Sequence, residues 1–214
     1  MAKLTGALLS FASSGSIAKT LVYSKWKGRP YARQHVNPAN PRTSAQVLTR
    51  NAFTWLTKVF GFGTAQFVAT WQLAATGQVL TDRNAWVKAN LPTLRPATDI
   101  TGILFSAGAK GGLPPASIAV AAGAGQLTVT LGTPALPTGW TITQAIAVAV
   151  ASQDPQSGTL YTMTEAVDAS TPYAPVITGL TPAQAYEVGG WFEFTKPDGT
   201  TAYGASLQGT GTPT

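Results

Sequence analysis

His35 is the only histidine in a chain of 214 residues that has no cysteine. Acyl-transfer chemistry needs a histidine beside a nucleophilic serine, and no Gly-x-Ser-x-Gly elbow is present to present one. Metal ions need clustered His, Cys or carboxylate ligands. The carboxylates Asp154, Glu165, Asp168, Glu187, Glu193 and Asp198 are instead spread over several segments, with no spacing of a known metal loop. Glu187 and Glu193 make the strongest rival pair if residues 185–195 form a regular strand. Their separation is about 20 Å along a strand, too far for one ion. Gly108-Ala-Lys-Gly-Gly112 has the look of a phosphate cradle, but Leu113-Pro-Pro follows it and cannot open the helix a P-loop requires. The sequence therefore predicts no enzyme, no cofactor and no metal, and His35 reads as an ordinary interface or strand residue.

The sharpest chemistry lies in Ser24-Lys-Trp-Lys-Gly-Arg-Pro-Tyr-Ala-Arg33. Cations interleaved with aromatics suit phosphates and stacked bases. They equally suit a protein interface, where Trp, Tyr and Arg supply hot spots, or a plain exposed hairpin tip. A protein interface is the preferred reading, because the tip is compact and no nucleic-acid fold signature accompanies it. The predicted partner-binding set is Lys25, Trp26, Lys27, Arg29, Tyr31, Arg33 and Arg42.

Charge is divided along the chain. Residues 1–110 hold 13 Lys or Arg and 2 Asp or Glu, whereas residues 111–214 hold 1 and 6. No acidic residue precedes Asp82. The front half should seek a negative surface and the back half need not. Charged residues are only 10% of the total, against about a quarter in typical soluble domains, which fits a surface partly hidden in an assembly. No run of about 18 apolar residues exists to span a bilayer. Leu4–Ala12 falls short of a secretion signal, since Thr5, Gly6 and Ser10 break its apolar core.

The elements that would carry these residues change character near residue 115. Residues 17–36 predict a β-hairpin turning at Lys27-Gly28, with Pro30 marking an edge strand. Asn40 and Pro41 predict the start of a helix over 42–60, whose Leu48, Ala52, Trp55, Leu56 and Val59 keep helical spacing. Thr64 predicts the cap of a second helix carrying Phe67, Val68, Trp71 and Ala75. A third, short one carries Trp86, Val87 and Leu91 and closes at Pro92. Residues 92–115, rich in Pro and Gly, read as a linker or wrapping segment. Strands are predicted at 116–121, 126–131, 141–151, 159–165, 173–179, 185–195 and 200–207, as in a small antiparallel sandwich. Ile142, Ile146, Val148 and Val150 share one parity, as do Tyr186, Val188, Phe192 and Phe194.

The expected fold class is thus an α+β N-terminal part, a β-hairpin plus two or three helices, followed by an all-β immunoglobulin-like sandwich. The expected domains are a basic docking domain over 1–110, a linker at 96–115, and a sandwich over 116–214. A fragment 113–214 is expected to fold alone.

Two resemblances add to this. Gly179-Leu-Thr-Pro-Ala-Gln-Ala-Tyr-Glu-Val188 resembles the corner before strand F of fibronectin type III and immunoglobulin-like modules. That resemblance implies Tyr186 as the corner tyrosine, Leu180 as a core plug and Trp140 packed in the core. Leu4–Phe11, Tyr23–Arg33 and Asn37–Thr43 resemble a family of uncharacterised tailed-bacteriophage proteins, over roughly residues 1–110. The implied function is a structural part of the virion, assembled in the host bacterial cytoplasm. Its partners would be the major capsid, connector or tail protein, in multiple copies. Capsid decoration or cement is the leading subtype, with head–tail connector or tail component as alternatives. A nucleic-acid-binding virion protein is a further alternative. So is a carbohydrate-binding adhesin using Trp191, Tyr161 and Tyr203.

Overall fold

The computed structural model describes residues 2–3, 15–17, 20–26, 29–36, 42–97, 99–152, 154–156 and 162–214. It divides into two compact units, Met1–Arg42 and Thr43–Thr214. In the first unit, β1 (Ala2–Lys3), β2 (Gly15–Ile17), β3 (Leu21–Trp26) and β4 (Arg29–Gln34) form a four-stranded sheet in the order β1-β4-β3-β2. Its centre is the predicted hairpin. None of the unit's described side chains is buried.

The second unit starts with three helices, α1 (Ser44–Gly61), α2 (Ala65–Ala75) and α3 (Asp82–Leu94). Thr43, not Asn40, is the N-cap of α1; Asn40 and Pro41 lie outside the described residues. Apolar spacing drives α1, which buries Ala52, Trp55, Leu56, Val59 and Phe60 along one stripe. The Thr81 side chain caps α3 by accepting from Asn84 N. Pro92 was expected to close α3, yet it lies inside it. Both Pro92 and Lys88 are exposed, so the carbonyl that proline leaves without a donor can face water. The added turn delivers Leu94, fully buried, to the core.

Strands follow: β5 (Ala107–Ala109), β6 (Ser117–Gly123), β7 (Gln126–Gly132), β8 (Thr141–Ala151), β9 (Met163–Asp168), β10 (Val176–Thr178), β11 (Tyr186–Thr195), β12 (Thr201–Ala205) and β13 (Leu207–Gly211). One sheet has the order β10-β7-β6. The other has the order β5-β12-β11-β8-β9, with β13 also paired to β11. Every pairing is antiparallel. This is the immunoglobulin-like sandwich of the predicted class, with a three-stranded sheet packed on a larger one. The predicted strand 200–207 is split at Ser206, whose hydroxyl accepts from Phe105 N and Ser106 N. Thr214 is pinned beside the β6–β7 turn: its N–H donates to Gly123 O, and its carbonyl accepts from Gly125 N.

The larger sheet is covered on both faces. Leu127, Val129, Leu131, Ala145, Ala147, Ala149, Val188, Phe192 and Phe194 form the core between the sheets. Ile146, Val148, Val150 and Trp191 point the other way, into a second core shared with Phe67, Trp71, Trp86 and Phe105. That is why Ala145 to Val150 is buried at both parities. Ile142 leaves the group with which it was expected to share a face. A register shift pairs Glu193 with Gln144 but Phe194 with Ile142, and this bulge turns Ile142 toward the inter-sheet core.

The helices and the sandwich therefore belong to one compact unit, and the stretch expected as a linker at 96–115 lies inside it. It wraps. Ile100, Ile103 and Phe105 are buried. Trp71 Nε1 donates to Phe105 O and Trp86 Nε1 to Leu104 O. Leu104 N donates to Asn90 Oδ1 at 2.7 Å. Gly112 sits against the backbone of Tyr203 and Gly204, where a Cβ would collide. Of the glycines that suggested a phosphate cradle, Gly108 and Gly112 thus pack closely on backbone, whereas Gly111 takes a positive φ of 75° beside open space.

Candidate docking surface

The ladder of the first unit sorts the predicted partner-binding residues by side. β3 and β4 pair Val22 with Arg33, Ser24 with Tyr31 and Trp26 with Arg29. β1 adds Lys3 opposite Tyr31. Directly opposed residues share a side and alternate residues return to it. Positions 3, 22, 24, 26, 29, 31 and 33 therefore occupy one side of the sheet, with Lys, Arg and Arg among Trp and Tyr. Positions 17, 21, 23, 25, 30 and 32 take the other side, occupied by Ile, Leu, Tyr, Lys, Pro and Ala.

Trp26, Arg29, Tyr31 and Arg33 are thus brought together by the register, and Lys25 is placed on the opposite side. Tyr31 is half-buried and Arg33 exposed. Lys27 lies outside the described residues. Arg42 is exposed at the end of the unit, next to the cap of α1. Lys3 was missed as a site residue, because a strand of two residues leaves no period to read. The unit as a whole holds seven Lys or Arg and no Asp or Glu, so this side carries no internal countercharge. Interleaved aromatic and guanidinium groups on such a sheet can accept a negative surface through bidentate bonds and stacking.

Of the residues with catalytic potential, His35 belongs to this first unit and the carboxylates to the second. His35 is half-buried, and its backbone N–H donates to Thr20 O at 2.8 Å. Among the described residues no three His, Asp or Glu side chains gather as metal ligands. Glu165 Oε2 accepts from Thr64 Oγ1 and from Phe67 N, so it caps α2. Glu193 accepts from Gln144 Nε2. Glu187 is buried and accepts from Thr101 Oγ1 at 3.3 Å; burial pushes its carboxyl above the usual range, and nearby Asp99 adds to the rise. Asp168 is held below the usual range by Ser170 and Ala174, and Asp198 by Thr200. Asp168 and Asp198 close their own loops, whereas Glu165, Glu187 and Glu193 tie their strands to α2, to Thr101 and to Gln144.

Two of the three aromatics considered for sugar stacking are buried. Trp191 is fully buried and Tyr203 6% exposed, while Tyr161 lies outside the described residues. Burial raises the Tyr203 hydroxyl to about 12, with Glu193 and Glu165 contributing.

The corner expected from sequence is present. The Tyr186 hydroxyl accepts from Thr181 N at 2.9 Å, and Leu180 is buried. Trp140 is half-buried, packed edge-on to Phe194 with Lys196 Nζ 4.9 Å from its ring centre.

No protein-family model matches the sequence, and no curated protein matches it. Solved structures overlap about half of the chain. A computationally redesigned β-sandwich protein is 22% identical over 46% of this chain and 87% of its own, with a TM-score of 0.33. A myokine is 17% identical over 49% and 100%, with a TM-score of 0.34. The fourth fibronectin type III domain of a human protein is 18% identical over 49% and 81%, with a TM-score of 0.34.

Proposed function

We propose that the chain is a structural component of a tailed-bacteriophage virion, docked through its basic hairpin sheet, with capsid decoration or cement as the subtype. The observation that carries this reading is the single side of that sheet on which Lys3, Trp26, Arg29, Tyr31 and Arg33 fall. The resemblance of residues 4–11, 23–33 and 37–43 to tailed-phage proteins supplies the setting. A four-stranded sheet of this kind needs a covering layer, and a particle's repeated surface would supply one many times over. Weak single contacts then multiply through avidity.

The test is incorporation. The double substitution Trp26→Ala and Arg29→Ala leaves the second unit untouched and should strongly reduce incorporation when particles assemble with the variant in place of the wild type. Normal incorporation of that variant removes the hairpin from the interface. Binding of the purified protein to free DNA that falls steeply with salt, without particle binding, would assign the surface to nucleic acid instead.

A further inference from the structure

Resting on that reading, we propose that the basic side of the hairpin sheet docks on the acidic sandwich of a second copy of this chain, joining copies head to tail. The two signs of charge lie in different parts of the molecule. Residues 1–42 have seven Lys or Arg and no acid, and residues 111–214 have six acids against Lys196 alone. Pairing two hairpin sheets with each other would set like charges together, whereas sheet on sandwich sets opposite ones.

The structure also narrows where on the sandwich the contact falls. Glu165 and Glu187 are turned inward to α2 and to Thr101. Asp168 and Asp198 remain at the surface, half-buried and exposed respectively. Asp168 pairs with Ala145, and Thr195, just before the Asp198 turn, pairs with Thr141. Both carboxylates therefore lie toward the same end of the larger sheet, as does Glu193 opposite Gln144. Their loops fix them. Asp168 accepts from Ser170 N and Ala174 N, and Asp198 from Thr200 N. They need little ordering to meet a guanidinium. Lys196 sits at the same end, but its ammonium is committed to Lys110 O and the Trp140 ring. A contact between two different surfaces is heterologous, so each pair of copies keeps one free head and one free tail and can add a further copy.

Complementation in sedimentation velocity tests this on the full chain. The wild type should form species that grow beyond dimers as concentration rises. Raising salt from about 0.05 M to about 0.5 M, which cuts the screening length from about 14 Å to about 4 Å, should disperse them. One variant, Arg29→Glu with Arg33→Glu, loses the head. A second, Asp168→Asn with Asp198→Asn, loses the tail charge; the amide at position 198 keeps the one oxygen that accepts from Thr200, and the amide at position 168 keeps one of the two that serve Ser170 and Ala174. Each alone should stay monomeric, with unchanged near-ultraviolet circular dichroism. Mixed, they should give a 1:1 dimer that grows no further. A monomeric wild type at low salt overturns the proposal, as does association that either variant retains, or a mixture that gives no dimer. The docking reading fails separately: it falls if the head variant still enters particles, and it survives, without the second copy as partner, if only sedimentation is negative.

Discussion

Glu165 Oε2 accepts a 2.5 Å hydrogen bond from Thr64 Oγ1, joining residues 101 positions apart. One carboxylate on β9 thereby serves as the N-terminal cap of α2, since it also takes the Phe67 N–H. Helix and sandwich are coupled at a point where neither alone would be satisfied.

Replacing Glu165 with Ala should destabilise the second unit by about 1–2 kcal/mol, the usual range for losing an N-terminal cap with its dipole contribution. Gln, which can still accept, should cost less. Urea unfolding of both variants checks this, and an unchanged midpoint for Ala would remove the capping role.

Truncation separates one shared core from two independent ones. A fragment of residues 43–214 should melt cooperatively. The fragment 113–214, expected from sequence to fold alone, should not, because it exposes Ile146, Val148, Val150 and Trp191. Thermal melts followed by circular dichroism decide, and a sharp transition in 113–214 would show that the helices are dispensable.

Tyr186→Phe removes a hydroxyl that accepts from Thr181 N. The loss should be about 1 kcal/mol, that of one intramolecular bond. Equal stability of the two proteins in guanidinium would mean that water replaces the hydroxyl.

Glu187 gives a pH signature. Its folded carboxyl titrates above the ordinary 4.5 of a free side chain, so the native state holds its proton more tightly than the unfolded chain does. That contribution is full below about pH 4.5 and is lost as pH rises through the higher folded value. Asp168 and Asp198 act oppositely: their contribution is present above 3.8 and is lost as pH falls through their lowered values. Glu187→Gln should therefore raise stability at neutral pH and flatten the curve just above pH 4.5, while leaving the acid limb in place. A stability–pH curve unchanged by the substitution would contradict the assignment.

Much of the sandwich was readable because its strands alternate. The parity of Tyr186, Val188, Phe192 and Phe194 gave the inward face, and the Leu180–Tyr186 spacing gave the corner. Helix α1 was legible from apolar spacing. What stayed hidden was the assembly of layers. Ala145-Ile-Ala-Val-Ala-Val150 is an unbroken apolar run, the mark of a strand covered on both faces, but the parity of its larger members drew attention to one face alone. Gly112 suggested flexibility because a glycine admitting a close backbone and a glycine in a hinge look alike in sequence. At the hairpin, composition gave the residue types and only the register could separate Lys25 from Trp26, Arg29, Tyr31 and Arg33.

The anchoring of Thr214 beside the β6–β7 turn has a practical consequence. Both backbone groups of that last residue are tied to Gly123 and Gly125. A fluorophore attached there would mark a fixed point of the second unit, against which the motion of other labelled positions in that unit can be measured.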